Sequence, residues 1–129
     1  MENAGKGRTG PGMRGLASAG GVLAAVAIGL SAWASHGLPA GREQHNVLMA
    51  CLFCFGHGVA WLALAQRPGN RCWRAGLWLQ AGGVMLFCGS LVGNAVAGWP
   101  TGLAPLGGMA LMLGWLMLAV AVWRGPARR

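Results

Sequence analysis

Acidic side chains are nearly absent from this chain of 129 residues, which contains only two Asp or Glu residues and no tyrosine. Charged residues of both signs make up 9% of the sequence, whereas a soluble domain carries about 25%. So few charges cannot cover a water-facing surface. An ordinary soluble domain is therefore excluded, and the apolar residues, which form 55% of the chain, become the main signal.

Familiar catalytic motifs are also missing. The sequence contains no P-loop, no Gly-x-Ser-x-Gly elbow and no His-Glu-x-x-His motif. No Asp or Glu lies within a long apolar run, which argues against a proton-coupled exporter of the small four-helix kind. We predict a protein that is not an enzyme and that has no cofactor.

Four long stretches without Lys, Arg, Asp or Glu follow one another along the chain. Each is long enough to cross the ~30 Å of hydrocarbon in a bilayer at ~1.5 Å per residue. Short connections containing Pro and Gly separate them and force neighbouring helices to run antiparallel. The predicted fold is all-α, an integral membrane four-helix up-down bundle with spans over residues 16–35, 46–65, 75–98 and 103–123. A flexible basic tail over residues 1–15 and a basic tail over residues 124–129 flank these spans.

Basic residues are distributed unevenly between the two sides of the predicted bundle. Nine of the ten lie in the two tails or in the second connection, and only Arg42 lies on the opposite side. This bias predicts that both termini are cytoplasmic, in a bacterial plasma (inner) membrane. Because the basic residues flank spans, the expected partner is the lipid bilayer and not nucleic acid.

The first apolar stretch ends in Ala32-Trp33-Ala34, which has the form of a signal-peptidase site. Cleavage before Ser35 is therefore an alternative to retention. The stretch is longer than the ~7–15 residue core of a signal peptide. A stripe of small residues also recurs along it every four positions, which would let another helix approach closely. We expect the first helix to be retained, with this stripe formed by Ala17, Gly21, Ala25 and Gly29.

Small residues on the third and fourth spans are further candidates for close helix packing. The third span also places Gln80, Ser90 and Asn94 on one face, which should turn towards other helices. The complete set of predicted packing positions is Gly21, Ala25, Gly29, Gly89, Gly93, Gly107, Gly108 and Gly114.

His57 is the only ionisable side chain near the middle of a span, apart from cysteine thiols. It is either a functional group in a solute or ion path, or a neutral imidazole that a Ser hydroxyl or an indole satisfies. The second interpretation is favoured because no carboxylate is available to form a proton relay with it. Counting residues from the span ends places Ser90 and Trp115 near its depth. We predict a polar cluster of His57, Ser90, Asn94 and Trp115.

His36 and His45 flank the first outer connection and are candidates for a metal or anion site at the membrane surface. Residues at such positions are more often simply solvated, and we predict no metal.

Cys51 and Cys54 form a C-x-x-C motif with His57 three residues further on. Covalent haem attachment needs His immediately after the second Cys. A zinc site would need a fourth ligand, for which only the distant Cys88 is available. A haem or redox role is therefore the least favoured function.

Four blocks of sequence resemble a known family of small membrane proteins. They are "ASHGL" at 34–38, "FCFGHGVAWLALA" at 53–65, "GGVMLFCGSL" at 82–91 and "APLGGMALMLGWLML" at 104–118. In this order they are similar to domain of unknown function family 423 (DUF423), the YgdD-like and transmembrane-protein-256-like proteins. The chain departs from the family pattern at Phe53, Cys54 and Val92, where that pattern has Tyr, Gln and Tyr.

The resemblance implies a four-helix membrane protein that keeps its first helix, and it implies no activity. We therefore expect a non-enzymatic interaction or structural component that binds itself or another membrane protein. The alternative function is a small-solute or ion permease that uses His57.

Overall fold

The computed structural model describes residues 10–125. Within this range the chain forms four α-helices and one short 3-10 turn, Thr101–Leu103. All four helices are long and apolar enough to cross a membrane, which confirms the predicted all-helical class and the predicted number of spans. The helices are α1 (Pro11–Gly37), α2 (Arg42–Leu64), α3 (Arg71–Ala97) and α4 (Ala104–Trp123).

The first three helices begin four or five residues before the predicted spans, at Pro11, Arg42 and Arg71. Uncharged stretches mark only the hydrocarbon layer, and a helix continues beyond it where arginine side chains extend to water. Residues 11–15, predicted as part of a tail, instead form the first turn of α1. Pro11 fits there because its missing amide hydrogen would have no partner in the helix. The rest of both predicted tails, residues 1–9 and 126–129, lies outside the described residues.

The ends of α3 carry recognisable sequence signals. Asn70 caps the helix, and its Oδ1 accepts the backbone N–H of Trp73 at 2.9 Å. The helix ends at Gly98, whose φ of 68° lies in the left-handed region that favours glycine. These two residues set the length of the helix that carries Gln80, Ser90 and Asn94.

Consecutive helices run antiparallel, but their contacts are unequal. α1 packs along α2, and α4 packs along α3, whereas α2 and α3 share a smaller contact. Over residues 10–125, α1 and α4 make no comparable backbone contact. The molecule therefore consists of two helical hairpins, α1–α2 and α3–α4, which meet mainly along α2 and α3.

Buried apolar side chains from all four helices form one core where the hairpins meet. Large apolar side chains also cover the outside, including Val22, Met85 and Leu116, which are 64%, 74% and 61% exposed. An apolar exterior of this extent belongs in lipid. Core residues contributed by the four helices include Met13, Leu16, Ala50, Trp61, Leu77, Val84, Leu111 and Leu118.

Candidate functional site

His57 lies on the inner face of α2, with 6% of its surface exposed. Its Nδ1 is 2.8 Å from the backbone oxygen of Phe53. Because a carbonyl oxygen can only accept, Nδ1 must carry the proton. Nε2 is then free to accept the indole N–H of Trp115, at 3.1 Å. One neutral tautomer of His57 therefore satisfies both ring nitrogens and connects α2 to α4.

Aromatic rings surround this imidazole. Phe53 stacks on His57 with centroids 6.2 Å apart, and Trp115 lies at 5.8 Å. Phe87 of α3 extends the group through a contact of 4.7 Å with Phe53. A protonated His57 would place an Nε2–H against the indole N–H, so that two donors would oppose each other. The arrangement thus suits a neutral histidine that fixes the helices in register.

A second polar contact lies one helical turn from His57. Trp61, which is 5% exposed, donates its indole N–H to Oε1 of Gln80 at 3.3 Å. Gln80 is fully buried, and its Nε2 has no hydrogen-bond partner among residues 10–125. Sequence analysis places Gln80 on the inward face of α3 but does not pair it with Trp61. The signal for such a pair is a primary amide in the middle of a span, which requires a partner from another helix.

Of the predicted four-residue cluster, the structure brings His57 and Trp115 together, whereas Ser90 and Asn94 bond elsewhere. The Ser90 hydroxyl donates to the backbone oxygen of Pro100 at 3.5 Å, and Asn94 Nδ2 donates to that of Trp99 at 2.7 Å. The α3–α4 connection folds back over the end of α3 and offers these carbonyls as acceptors. Counting depth along straight helices could not reveal that fold-back. Both side chains therefore hold the connection in place.

Glycines allow the two helices of each hairpin to touch. A Cβ atom on Gly58 would lie 2.6 Å from the backbone oxygen of Gly20, so neither position has room for a side chain. In the other hairpin, a Cβ on Gly107 would lie 2.8 Å from the backbone oxygen of Gly83. One on Gly114 would lie 3.0 Å from that of Gly76. Backbone contact of this kind is how helices associate inside lipid.

Only two of the predicted packing positions, Gly107 and Gly114, make such contacts with a neighbouring helix. On α1 the contact residue is Gly20. Because adjacent residues are about 100° apart around a helix, the predicted stripe is rotated away from this contact, and only its first member, Ala17, is buried. Gly21 has only Leu62 nearby, Gly108 only Phe87, and Gly93 lies against Trp99 of its own connection. The remaining three positions are exposed, and they are Ala25, Gly29 and Gly89.

His36 and His45 are both exposed at the first connection. The residue that organises this connection is Gln44, which sequence analysis did not single out. Its Nε2 donates to the backbone oxygen of Ala34 at 3.0 Å and to that of Leu38 at 3.4 Å. It thus satisfies carbonyls at the end of α1 that the helix leaves free.

Cys88 is not distant from the C-x-x-C motif, contrary to expectation. It lies beside Cys54 across the α2–α3 contact, and its thiol donates to the backbone oxygen of Ala50 at 3.4 Å. All four cysteines are free thiols. Among the described residues, no group of three His, Cys, Asp or Glu side chains is placed to hold a metal ion.

Comparison with known proteins places the chain in a family. A family model described as "Protein of unknown function (DUF423)" matches residues 30–108. The chain belongs to the DUF423 family. A UPF0382 membrane protein of the fission yeast Schizosaccharomyces pombe is 28% identical to it over 110 residues, which cover 74% of this chain and 90% of the relative. No solved structure matches the chain.

The DUF423 match covers α2 and α3 completely and includes only the beginning of α4. His57 and Gln80 therefore lie inside the matched range, whereas Trp115 lies beyond it. With four candidate spans and a membrane protein as relative, this DUF423 chain is a multi-pass membrane protein of unknown molecular function.

Proposed function

We propose that this protein is a non-enzymatic interaction component of a bacterial plasma (inner) membrane, which binds a second copy of itself or another membrane protein. The observation that supports this proposal is a pair of small residues left free on α1, Ala25 and Gly29, which form the second half of the predicted stripe. Gly29 has no atom within 4 Å of the position its Cβ would take, and Ala25 is exposed. The α1–α2 contact uses Gly20 instead, so Ala25 and Gly29 are available to another helix in the lipid.

The distribution of charge supports an orientation with both termini in the cytoplasm. Arg14, Arg67 and Arg124 lie at one end of the helices, with Arg71 and Arg74, whereas Arg42 lies at the other. Basic residues favour the cytoplasmic side. A reporter that functions only in the cytoplasm should be active when it is fused after Gly125. Activity of a reporter that functions only in the periplasm, fused at the same position, would overturn this orientation.

Retention of α1 belongs to the same proposal, because Gly20 of α1 packs directly on Gly58 of α2. Mass spectrometry of the purified protein should find peptides from residues 16–34. A product that begins at Ser35 would overturn retention.

The alternative function, a permease that uses His57, has less support from the geometry. Both nitrogens of His57 are engaged by Phe53 and Trp115. In the part of the chain that the structure describes, four cavities at the ends and outer faces of the helices have linings that do not include His57.

Crosslinking of native membranes, followed by mass spectrometry, tests the proposed interaction. We expect the wild-type protein to crosslink to a stoichiometric partner or to itself, and Ala25→Leu combined with Gly29→Leu to reduce that product at least several-fold. Gly89→Leu is the matched control, because Gly89 is exposed with nothing within 4 Å, but lies on α3. A lone monomer both in membranes and in mild detergent would contradict the proposal.

A further inference from the structure

An open groove of about 460 Å³ lies between the first turns of α1 and α3. This volume falls within the ~300–1,000 Å³ range of ligand pockets in proteins. The groove is at the end of the molecule that carries most of the arginines. One wall comes from the start of α1, around Pro11 and Gly12, and the other from Arg71, Arg74, Ala75 and Trp78 of α3.

Within residues 10–125, the charge around this groove is positive and has no acidic counterpart nearby. Among residues 10–125 the only carboxylate side chain is that of Glu43, in the first turn of α2. Glu43 lies at the end of the bundle opposite to the groove, roughly 30 Å away along the length of α2 at 1.5 Å per residue. The other acidic residue, Glu2, is outside the described range. The first turn of α1 also lacks a side-chain cap, which leaves the backbone N–H of Gly12 and the positive end of the helix dipole at the groove, while the N–H groups of Met13 and Arg14 donate to the backbone oxygen of Gly10. An anion is therefore the ligand that this groove favours.

The groove is not uniformly polar, and its composition distinguishes between possible anions. Trp78 follows Arg74 by one helical turn on the same face and is 52% exposed. An indole at this depth is typical of the boundary between headgroups and acyl chains. A soluble phosphate ion would use only the arginines, whereas a phospholipid would use both the arginines and the apolar wall.

We propose that this groove binds an anionic glycerophospholipid, with its phosphate between Arg71 and Arg74 and an acyl chain against Trp78. Planar guanidinium groups suit phosphate oxygens, because several N–H donors can contact them together. The proposal goes beyond the interaction function above, since it applies equally to a monomer and to an assembly. Its outcome is independent of the stripe on α1.

Native mass spectrometry of the full-length protein in detergent, titrated with phosphatidylglycerol or phosphatidylcholine, tests this site. We expect one phosphatidylglycerol molecule to be retained in preference to phosphatidylcholine. Arg71→Gln combined with Arg74→Gln should weaken that retention about tenfold or more, since each basic residue near a membrane surface contributes to attraction of anionic lipid. Both side chains are exposed, so the double variant should stay folded, which circular dichroism checks.

Two further variants separate this site from general positive charge. Arg67→Gln combined with Arg124→Gln removes the same charge from the same end and should leave the retained lipid in place. Ala75→Phe fills the groove without changing the charge, and it should release the lipid. Equal loss with the control pair, or full retention in Ala75→Phe, would overturn the proposal.

Competition with soluble phosphate decides the source of the anion. Glycerol 3-phosphate, which has the headgroup phosphate but no acyl chain, should not displace phosphatidylglycerol from the wild-type protein at matched concentration. Displacement would show a site for a soluble phosphate compound and would overturn the assignment to lipid.

Discussion

The contacts within each hairpin differ in kind from the contacts between the hairpins. Within a hairpin, glycines bring backbones together, as at Gly20 and Gly58 or at Gly83 and Gly107. Between the hairpins, buried apolar side chains share a core, and polar side chains add hydrogen bonds, as in the Trp61–Gln80 pair. Helices in lipid gain little from hydrophobicity, so they associate through close packing or through hydrogen bonds. In this protein, close backbone packing at glycines occurs within each hairpin, and hydrogen bonds between side chains occur where the hairpins meet.

The difference indicates where each kind of residue is tolerated. A glycine contact leaves no room for any side chain and accepts no substitution without moving a helix. A hydrogen bond between side chains tolerates substitution better, because replacing both partners together with apolar groups of similar shape can be nearly neutral for stability. The four predictions below test this contrast.

The largest effect is expected at the hairpin glycines. Gly83→Leu places a side chain against the backbone of Gly107 and the side chain of Leu111, and it should lower the free energy of unfolding by about 3 kcal/mol. Unfolding in mixed micelles of increasing SDS content measures this loss. Gly89→Leu on the same helix is the control, because nothing lies within 4 Å of that position. Equal stability of the two variants would contradict the role of glycine in the hairpin.

The Trp61–Gln80 contact should show a smaller and coupled effect. Trp61→Phe and Gln80→Leu should each cost about 1–2 kcal/mol, since each leaves a buried polar group without its partner. The double variant should cost less than their sum, with a coupling of about 0.6 kcal/mol and at most about 1.7 kcal/mol, the mean and the maximum found for such hydrogen bonds by double-mutant cycles. The same unfolding assay, applied to the wild-type protein, the two single variants and the double variant, completes this double-mutant cycle. Strict additivity would show that this hydrogen bond does not join the hairpins.

His57 offers a direct spectroscopic test with a modest energetic effect. Nitrogen NMR of labelled protein should find Nδ1 protonated and Nε2 unprotonated. Trp115→Phe removes the donor to Nε2, and it should shift that nitrogen resonance while costing about 1 kcal/mol or less. Trp123→Phe is a suitable control, because the Trp123 side chain is 92% exposed. A protonated Nε2 in the wild-type protein would show that the hydrogen bond from Trp115 is absent.

The smallest effect is expected for the thiol contact between the hairpins. Cys88→Ala removes a weak sulfur donor 3.4 Å from the backbone oxygen of Ala50, and it should cost no more than about 1 kcal/mol. Cys72→Ala is the comparison variant, because it removes a similar thiol contact, with the backbone oxygen of Met117, that lies within the second hairpin and not between hairpins. If Cys88→Ala destabilised the protein as much as Gly83→Leu, the contrast between the two kinds of contact would fail.

The helices could be predicted from the sequence more completely than the contacts between them. Long charge-free stretches predicted four helices because a span requires a continuous apolar length. The same reasoning placed α1 five residues late, since it could not see that the helix continues past Arg14 to Pro11.

The contacts between helices depend on how each helix is rotated about its axis and on how the connections fold. The spacing of residues along the sequence determines neither of these directly. The small residues of α1 form a plausible stripe, yet the face that packs is centred one residue earlier, at Gly20. Asn94 reaches the backbone of Trp99 only because the connection folds back. His57 and Trp115 could be matched by depth because both lie within spans and neither depends on how a connection folds, whereas the pair formed by Trp61 and Gln80 was missed.

The division into hairpins has a consequence for how the chain could be divided. The connection between Leu64 and Arg71 crosses from one hairpin to the other, and it is the natural place to cut the gene in two. Each fragment would carry its own turn and its own glycine contacts into the bilayer. Expressed together, the halves should find each other through the indole and amide groups that they leave exposed, and so restore a whole molecule from separate parts.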